Sequence, residues 1–242
     1  LDFIILEVGL GGRLDAVNCI DANIALISAI DIDHIEFLGD SREQIGFEKA
    51  GIMRKGKHAV CSDHNITNSI LEFAKENEVN LHTLGVDFYI KGDKTSWQWW
   101  TDDMMIEGRF NSLIKTDYQL RNLSGALKVL ELLKIELKQE KIQKALDAIT
   151  LRGRFQVFKC KNKEWVIDVA HNNQASLSLV KSAKKLPAAV NNLGVFGLQK
   201  TKRLHDFFEP LIGLVDLWFL PDLNEANFWS ANEIEVLLKK LG

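Results

Sequence analysis

Phe3-Ile4-Ile5-Leu6-Glu7-Val8-Gly9-Leu10-Gly11-Gly12-Arg13-Leu14-Asp15 is the stretch whose reading decides the fold. Its apolar run predicts a strand buried on both faces, as in a parallel sheet covered by helices. The run closes on a carboxylate and then on three glycines within four positions. An unpaired Glu in apolar surroundings is costly, yet the carboxyl end of a parallel strand is where α/β sheets hold their ligands. Glu7 therefore either faces a ligand or is tied to a basic neighbour such as Arg13. Spacing alone does not choose between the two. Gly9-x-Gly11 is not a dinucleotide-binding fingerprint, because Leu14 stands at the third glycine position.

Moving outward, residues 24–30 form a second apolar run that ends in Asp31-Ile32-Asp33-His34. Two neighbouring parallel strands would put Glu7 and the Asp33/His34 pair on one rim of the sheet. Ser41-Arg42-Glu43-Gln44 spells a capping box, opening a helix through Ala50 that Gly51 closes. Lys49 lies in its last turn, where the local reading is a favourable interaction with the helix C-terminal dipole. Gly51 to His58 nearly spells a P-loop. Its last position is His rather than Ser or Thr, and it runs from helix into strand, the reverse of a P-loop.

Further along, residues 65–78 predict an amphipathic helix with Ile66, Ile70, Phe73 and Ala74 on one face. Residues 88–107 predict antiparallel hairpins whose tryptophans serve sheet packing rather than ligand stacking. Helices follow at 119–133 and 139–149. Residues 151–154 read as a linker, so a domain boundary is placed near Thr150. The α/β rhythm then restarts with strands at 155–158 and 165–169 and a helix at 173–186. It continues with a strand at 192–196, a helix at 204–212, a strand at 215–220 and a last helix at 230–241. The strand at 165–169 is again read as buried and ending in polar chemistry, Asp168-Val169-Ala170-His171-Asn172.

Composition narrows the function classes. A chain of 242 residues with a net charge of -3 gives no reason to expect a nucleic-acid partner. No apolar run reaches the length of a membrane span, and no secretory leader pattern is present. Cys19, Cys61 and Cys160 are an odd, scattered set, read as reduced cytosolic thiols. The chain opens in mid-strand with Leu1, so the natural protein is expected to extend further towards its N-terminus.

Taken together, these landmarks resemble folylpolyglutamate synthase, including the bacterial form that is also a dihydrofolate synthase, within the Mur ligase superfamily. The carrying motifs are the opening stretch from Glu7 to Asp15; Asp33-His34 followed by Leu38-Gly39; Glu48-Lys49-Ala50-Gly51-Ile52; Gln119-x-x-Asn122; Gly153-Arg154-Phe155; and Asp168-x-Ala170-His171-Asn172. The resemblance implies an α/β, Mur-ligase-like chain. Residues 1–150 would be a central ATP- and Mg-binding ligase domain of P-loop ATPase type, without its P-loop part. Residues 151–242 would be a smaller Rossmann-like glutamate-ligase domain, incomplete at its C-terminus.

By the same resemblance, Glu7, His34 and Lys49 bind Mg2+, with Lys49 carbamylated. This replaces the dipole reading of Lys49, since a carbamate can help hold a cation that an ammonium would repel. Asn122, Arg154, Asp168 and His171 contact ATP; Lys49, His34 and Arg154 carry the catalysis. The implied reaction joins L-glutamate to dihydropteroate or a reduced folate through an acyl phosphate, at a cleft between two α/β domains. Implied partners are small molecules only, with no nucleic acid and no membrane, in a cytoplasmic monomer.

Three departures stand out. No G-x-x-G-K-[ST] occurs in the sequence, so these residues by themselves are expected to be inactive. Asn173 replaces the usual Pro, a modest loss at a helix start. Residues 197–202 and 224–227 depart from the family pattern on the glutamate side. Two other readings stay open, a Mur-type ligase of peptidoglycan precursors and a non-catalytic relative that binds nucleotide or folate.

Overall fold

The computed structural model describes residues 2–93, 95–110, 116–149, 151–223 and 226–242. Two compact units divide the chain, residues 1–150 and 151–242. The predicted linker at 151–154 lies within the second unit, and Thr150 itself is outside the described residues.

The first unit is built on a parallel sheet of three strands, β1 (Ile24–Ile27), β2 (His58–Cys61) and β3 (Asn80–Thr83), in the order β1-β2-β3. Side chains alternate along β2, so Ala59 and Cys61 enter one core and Val60 the other. The first core is closed by α2 (Arg42–Ala50) and α3 (Asn68–Glu76) through Ile45, Ala50, Ile70 and Ala74. Burial pushes the Cys61 thiol up to about 11, so it stays protonated in this core.

The second core lies between the sheet, α4 (Asp117–Leu132), α5 (Gln139–Ala148) and an antiparallel sheet of β4 (Tyr89–Gly92), β5 (Ser96–Trp100) and β6 (Met105–Arg109). Trp97 and Trp99 are fully buried there, which gives the tryptophan-rich hairpin its packing role. Capping boxes open α2 at Ser41/Gln44 and α4 at Thr116/Gln119. Gly51 ends α2, and the chain then enters β2, so the near-P-loop stretch has the helix-to-strand order.

The opening run corrects the expectation drawn from it. Residues 2–8 form no strand, and Ile5 is 95% exposed. An apolar run becomes a buried strand only where a neighbouring edge takes up its backbone groups. Among the described residues β1 pairs with β2 alone.

The second unit holds an antiparallel hairpin, β7 (Gln156–Cys160) with β8 (Lys163–Ile167), and a separate parallel pair, β9 (Leu193–Val195) with β10 (Leu217–Phe219). Its core gathers Leu198, Phe207, Phe208, Leu211 and Ile234 from α7 (Leu204–Phe208), α8 (Ala231–Leu241) and nearby turns. The strand read at 165–169 as buried is a second correction. β8 is exposed at every residue, because its only partner is β7 and no helix covers it among the described residues.

Candidate functional site

In the first unit the glycine-rich loop is folded by its own aspartate. The Asp15 carboxylate accepts hydrogen bonds from the backbone N–H groups of Gly9 (2.9 Å), Leu10 (3.0 Å) and Val17 (3.0 Å). These bonds, that from Leu10 first, hold its pKa below the usual carboxylate range. The loop is stitched to the end of α2. Arg13 N–H donates to the Glu48 carbonyl at 2.9 Å, and Asn18 Nδ2 donates to the carbonyls of Arg13 (3.0 Å) and Gly51 (3.1 Å). Arg54 in turn donates to the Asn18 side chain at 2.9 Å and to the Gly51 carbonyl at 3.2 Å.

Gly11 and Gly12 make this contact possible. A Cβ on Gly11, which has φ +67°, would stand 2.7 Å from the Leu38 side chain. One on Gly12 would stand 2.9 Å from the Glu48 carbonyl oxygen and 3.3 Å from the Lys49 Cα. Three segments remote in sequence therefore meet: the loop after Glu7, the turn after His34 and the last turn of α2. Gly12→Ala is expected to destabilise the protein by about 1–3 kcal/mol through overpacking. Urea unfolding of the variant measures this, and an unchanged midpoint would refute it.

The three residues read as metal ligands stand as follows. Glu7 is exposed, and among the described residues no ion pair joins it to Arg13. The Arg13 guanidinium instead lies 3.5 Å from Glu48, donates to the Phe47 carbonyl and stacks over the Phe47 ring at 4.0 Å. His34 caps the short helix α1 (Ile35–Leu38) with φ 51°, a left-handed conformation held by Asp33, which accepts the His34 N–H at 2.8 Å. Lys49 is half-buried, and burial lowers its pKa, so the neutral amine is easier to form than on an exposed lysine. Asn122 is exposed on the second turn of α4.

Among the described residues no group of three or more His, Cys, Asp and Glu side chains is arranged to hold a metal. Two of the expected ligands, Glu7 and His34, belong to those types; an ammonium on Lys49 has no lone pair to offer. A carboxylate on Lys49 would add oxygen donors to those of Glu7, as a hard divalent cation prefers, whereas the imidazole of His34 is a softer donor.

In the second unit the two remaining motifs are joined by one side chain. Asp168 accepts from the backbone N–H of Phe155 at 2.7 Å and of Ala170 at 2.8 Å. Val169 N–H also donates to the Gly153 carbonyl at 2.9 Å. Gly153 (φ 67°) and Phe155 (φ 49°) are both left-handed, and Arg154 is presented exposed between them. Burial raises the Asp168 pKa, opposed by those two N–H groups and by the nearby charge of Arg154. His171 Nδ1 lies 2.9 Å from the Val169 carbonyl, which makes it the donor there. Asn172 caps α6 (Asn173–Ala183), accepting from Ala175 N–H at 2.9 Å. Asn173 gains a contact at the position where Pro is usual, since its Nδ2 donates to the Asp206 carbonyl at 2.8 Å.

Residues 197–202 contribute Lys200 to a recess of about 290 Å³ that Asp222 and Trp229 also line. Asn224 and Glu225 of the departing 224–227 stretch lie outside the described residues.

Sequence reasoning missed Arg42, Asp63, Asn18 and Arg54. The available signal for Asp63 was its place two residues past the apolar strand His58–Cys61, a carboxylate following an apolar run as Asp31 and Asp33 follow residues 24–30.

The pattern of the Mur ligase middle domain matches residues 1–158. The dihydrofolate synthase/folylpolyglutamate synthase of Haemophilus influenzae is 32% identical, in an alignment covering 99% of this chain and 58% of that protein. The structure of E. coli FolC in complex with DHPP and ADP is similar at a TM-score of 0.87 and 31% identity, covering 97% of this chain and 55% of that one. A bifunctional folylpolyglutamate synthase/dihydrofolate synthase with Mn, AMPPNP and L-glutamate bound gives a TM-score of 0.82 at 32% identity, covering 95% of this chain and 55% of that one. The chain thus spans a little over half the length of these relatives.

Proposed function

We propose, from the premise that this chain belongs to the Mur ligase family, that it carries most of the reacting machinery of an ATP-dependent glutamate ligase of folate metabolism. The α/β class and the family relationship agree with the motifs. The observation that supports the reading is the close packing of Gly11 and Gly12 on Leu38 and the last turn of α2, which sets the loop after Glu7 against the segments that carry the other two motifs.

The acceptor is dihydropteroate, a reduced folate or both. Its carboxylate attacks the γ-phosphate of ATP, giving an acyl phosphate and ADP; the amine of L-glutamate then attacks that carbonyl and phosphate leaves. A carboxylate is a poor electrophile, and phosphorylation supplies the leaving group. A bound Mg2+ would supply Lewis-acid stabilisation of phosphate charge. Glu7, His34 and Lys49 would hold it, with Lys49 present as its carbamate. Arg154, which is exposed, stabilises charge that develops on the transferred phosphoryl group. Asp168, kept partly dehydrated, accepts hydrogen bonds from nucleotide hydroxyl or amine groups, beside His171. Asn122 supplies amide contacts to the nucleotide from α4.

Partners are small molecules, and the protein acts as a cytoplasmic monomer. Three free thiols, Cys19, Cys61 and Cys160, support a reducing compartment. Among the described residues no helix is long and apolar enough to cross a membrane. The test is glutamate-dependent phosphate release by the full-length protein, with dihydropteroate and tetrahydrofolate compared as acceptors. Release with either supports the reading; ATP binding without release from either overturns it in favour of a non-catalytic relative.

A further inference from the structure

Four residues before His34, the backbone of Ile30 is gripped at both of its polar groups by an ion pair. The Asp63 carboxylate accepts the Ile30 N–H at 2.6 Å, and Arg42 Nη1 donates to the Ile30 carbonyl. Arg42 Nη2 lies 3.5 Å from Asp63 Oδ2 and also donates to the Asn65 carbonyl at 2.5 Å. The second Asp63 oxygen accepts the Asn65 N–H at 2.8 Å. Asp63 is buried, and the Ile30 side chain is fully enclosed in the first core. The grip therefore acts at a rigid point, from which the segment carrying Asp33 and His34 departs.

The other end of the grip is the first turn of α2. That turn is itself fixed. Ser41 and Gln44 cap it reciprocally, and Glu43 accepts the N–H groups of Asn68 (3.2 Å) and Ser69 (2.8 Å) at the start of α3. Lys49 follows Arg42 by seven positions, 49 less 42. Seven residues fall about 20° short of two helical turns, so both side chains leave the same face of α2. Anchoring Arg42 sets both the height and the rotation of Lys49 relative to the strand end that leads to His34.

We infer that Arg42 and Asp63 are positioning residues that hold His34 and Lys49 in register for a shared divalent cation. The inference rests on the metal-site reading above. The pair acts through backbone and helix, and touches neither nucleotide nor acceptor. A planar fork serves two carbonyls and a carboxylate at once, which a lysine ammonium cannot reproduce.

The test uses the full-length protein with Mn2+ as probe, its affinity read by electron paramagnetic resonance. Arg42→Lys and Asp63→Asn keep charge or shape and are chosen to remain folded; circular dichroism and thermal melting check this. Both variants are expected to bind Mn2+ about 10- to 100-fold more weakly, as loss of the partners that orient metal ligands does. Turnover is expected to recover at excess Mg2+, while the KM for the folate acceptor stays unchanged. Mn2+ affinity within twofold of the parent, alongside a lowered melting temperature, would show the pair to be structural only and overturn the inference. Failure of the parent protein itself to bind Mn2+ overturns the metal-site reading and this inference together, which separates the two failures.

Discussion

Lys49→Ala is expected to lower ligase turnover about a thousandfold or more while leaving the protein folded. The magnitude follows from the charge stabilisation that a bound metal supplies, several kcal/mol, at about 1.4 kcal/mol per factor of ten. Lys49 sits on the last turn of α2, half-buried, against the backbone of Gly12. Its ammonium would repel a cation, whereas its carbamate would bind one. Carbamate formation consumes the neutral amine and CO2. Burial lowers the Lys49 pKa, which raises the fraction of neutral amine at a given pH.

The sign of the pH dependence follows. As pH falls, the amine is protonated, the carbamate is lost and turnover falls; added bicarbonate should oppose the loss. Incorporation of 13C-labelled bicarbonate, followed by carbon NMR, reads the modification directly and should vanish in Lys49→Ala. A variant retaining more than a tenth of parental turnover would remove Lys49 from the site.

Arg154→Ala is expected to lower kcat by about 10²- to 10³-fold, the usual effect of removing one preorganised donor from a site of developing charge. The physical case is its presentation. Left-handed Gly153 and Phe155 flank it, and the Phe155 N–H is tied to Asp168. Non-glycine residues hold such a conformation at a cost of about 1–3 kcal/mol, which the surrounding contacts must offset. The result is an exposed guanidinium aimed by a rigid turn rather than by its own long stem. Arg154→Lys should recover only part of the rate, because a point charge lacks the planar fork. Steady-state kinetics with ATP varied at saturating glutamate separates the two effects. A raised KM for ATP with unchanged kcat would make Arg154 a ground-state contact instead.

Much of this molecule is written locally. The capping box at Ser41 and Gln44 and the glycine that ends α2 are decided within a few residues. So are the strand His58–Cys61, the paired hairpins at 89–109 and the polar residues that follow each apolar run. Their hydrogen bonds or their periodicity close over short spans, so the chain can be read for them directly. The family is legible for the same reason, since its motifs are short and contiguous.

Tertiary structure decided the rest, because each remaining feature depends on a partner remote in sequence. Residues 2–8 have the composition of a buried strand but form none, and residues 2–7 lie exposed, since a strand exists only where another edge bonds it. Arg13 was equally able, by spacing, to neutralise Glu7; the packing of the loop on α2 gave it Glu48 and Phe47 instead. Arg42 reads as an ordinary surface residue of a first helical turn until folding brings Ile30 and Asp63 to it. Side-chain identity set which contacts were chemically possible, and long-range packing selected among them, because desolvation and geometry act only on groups that the fold has already brought together.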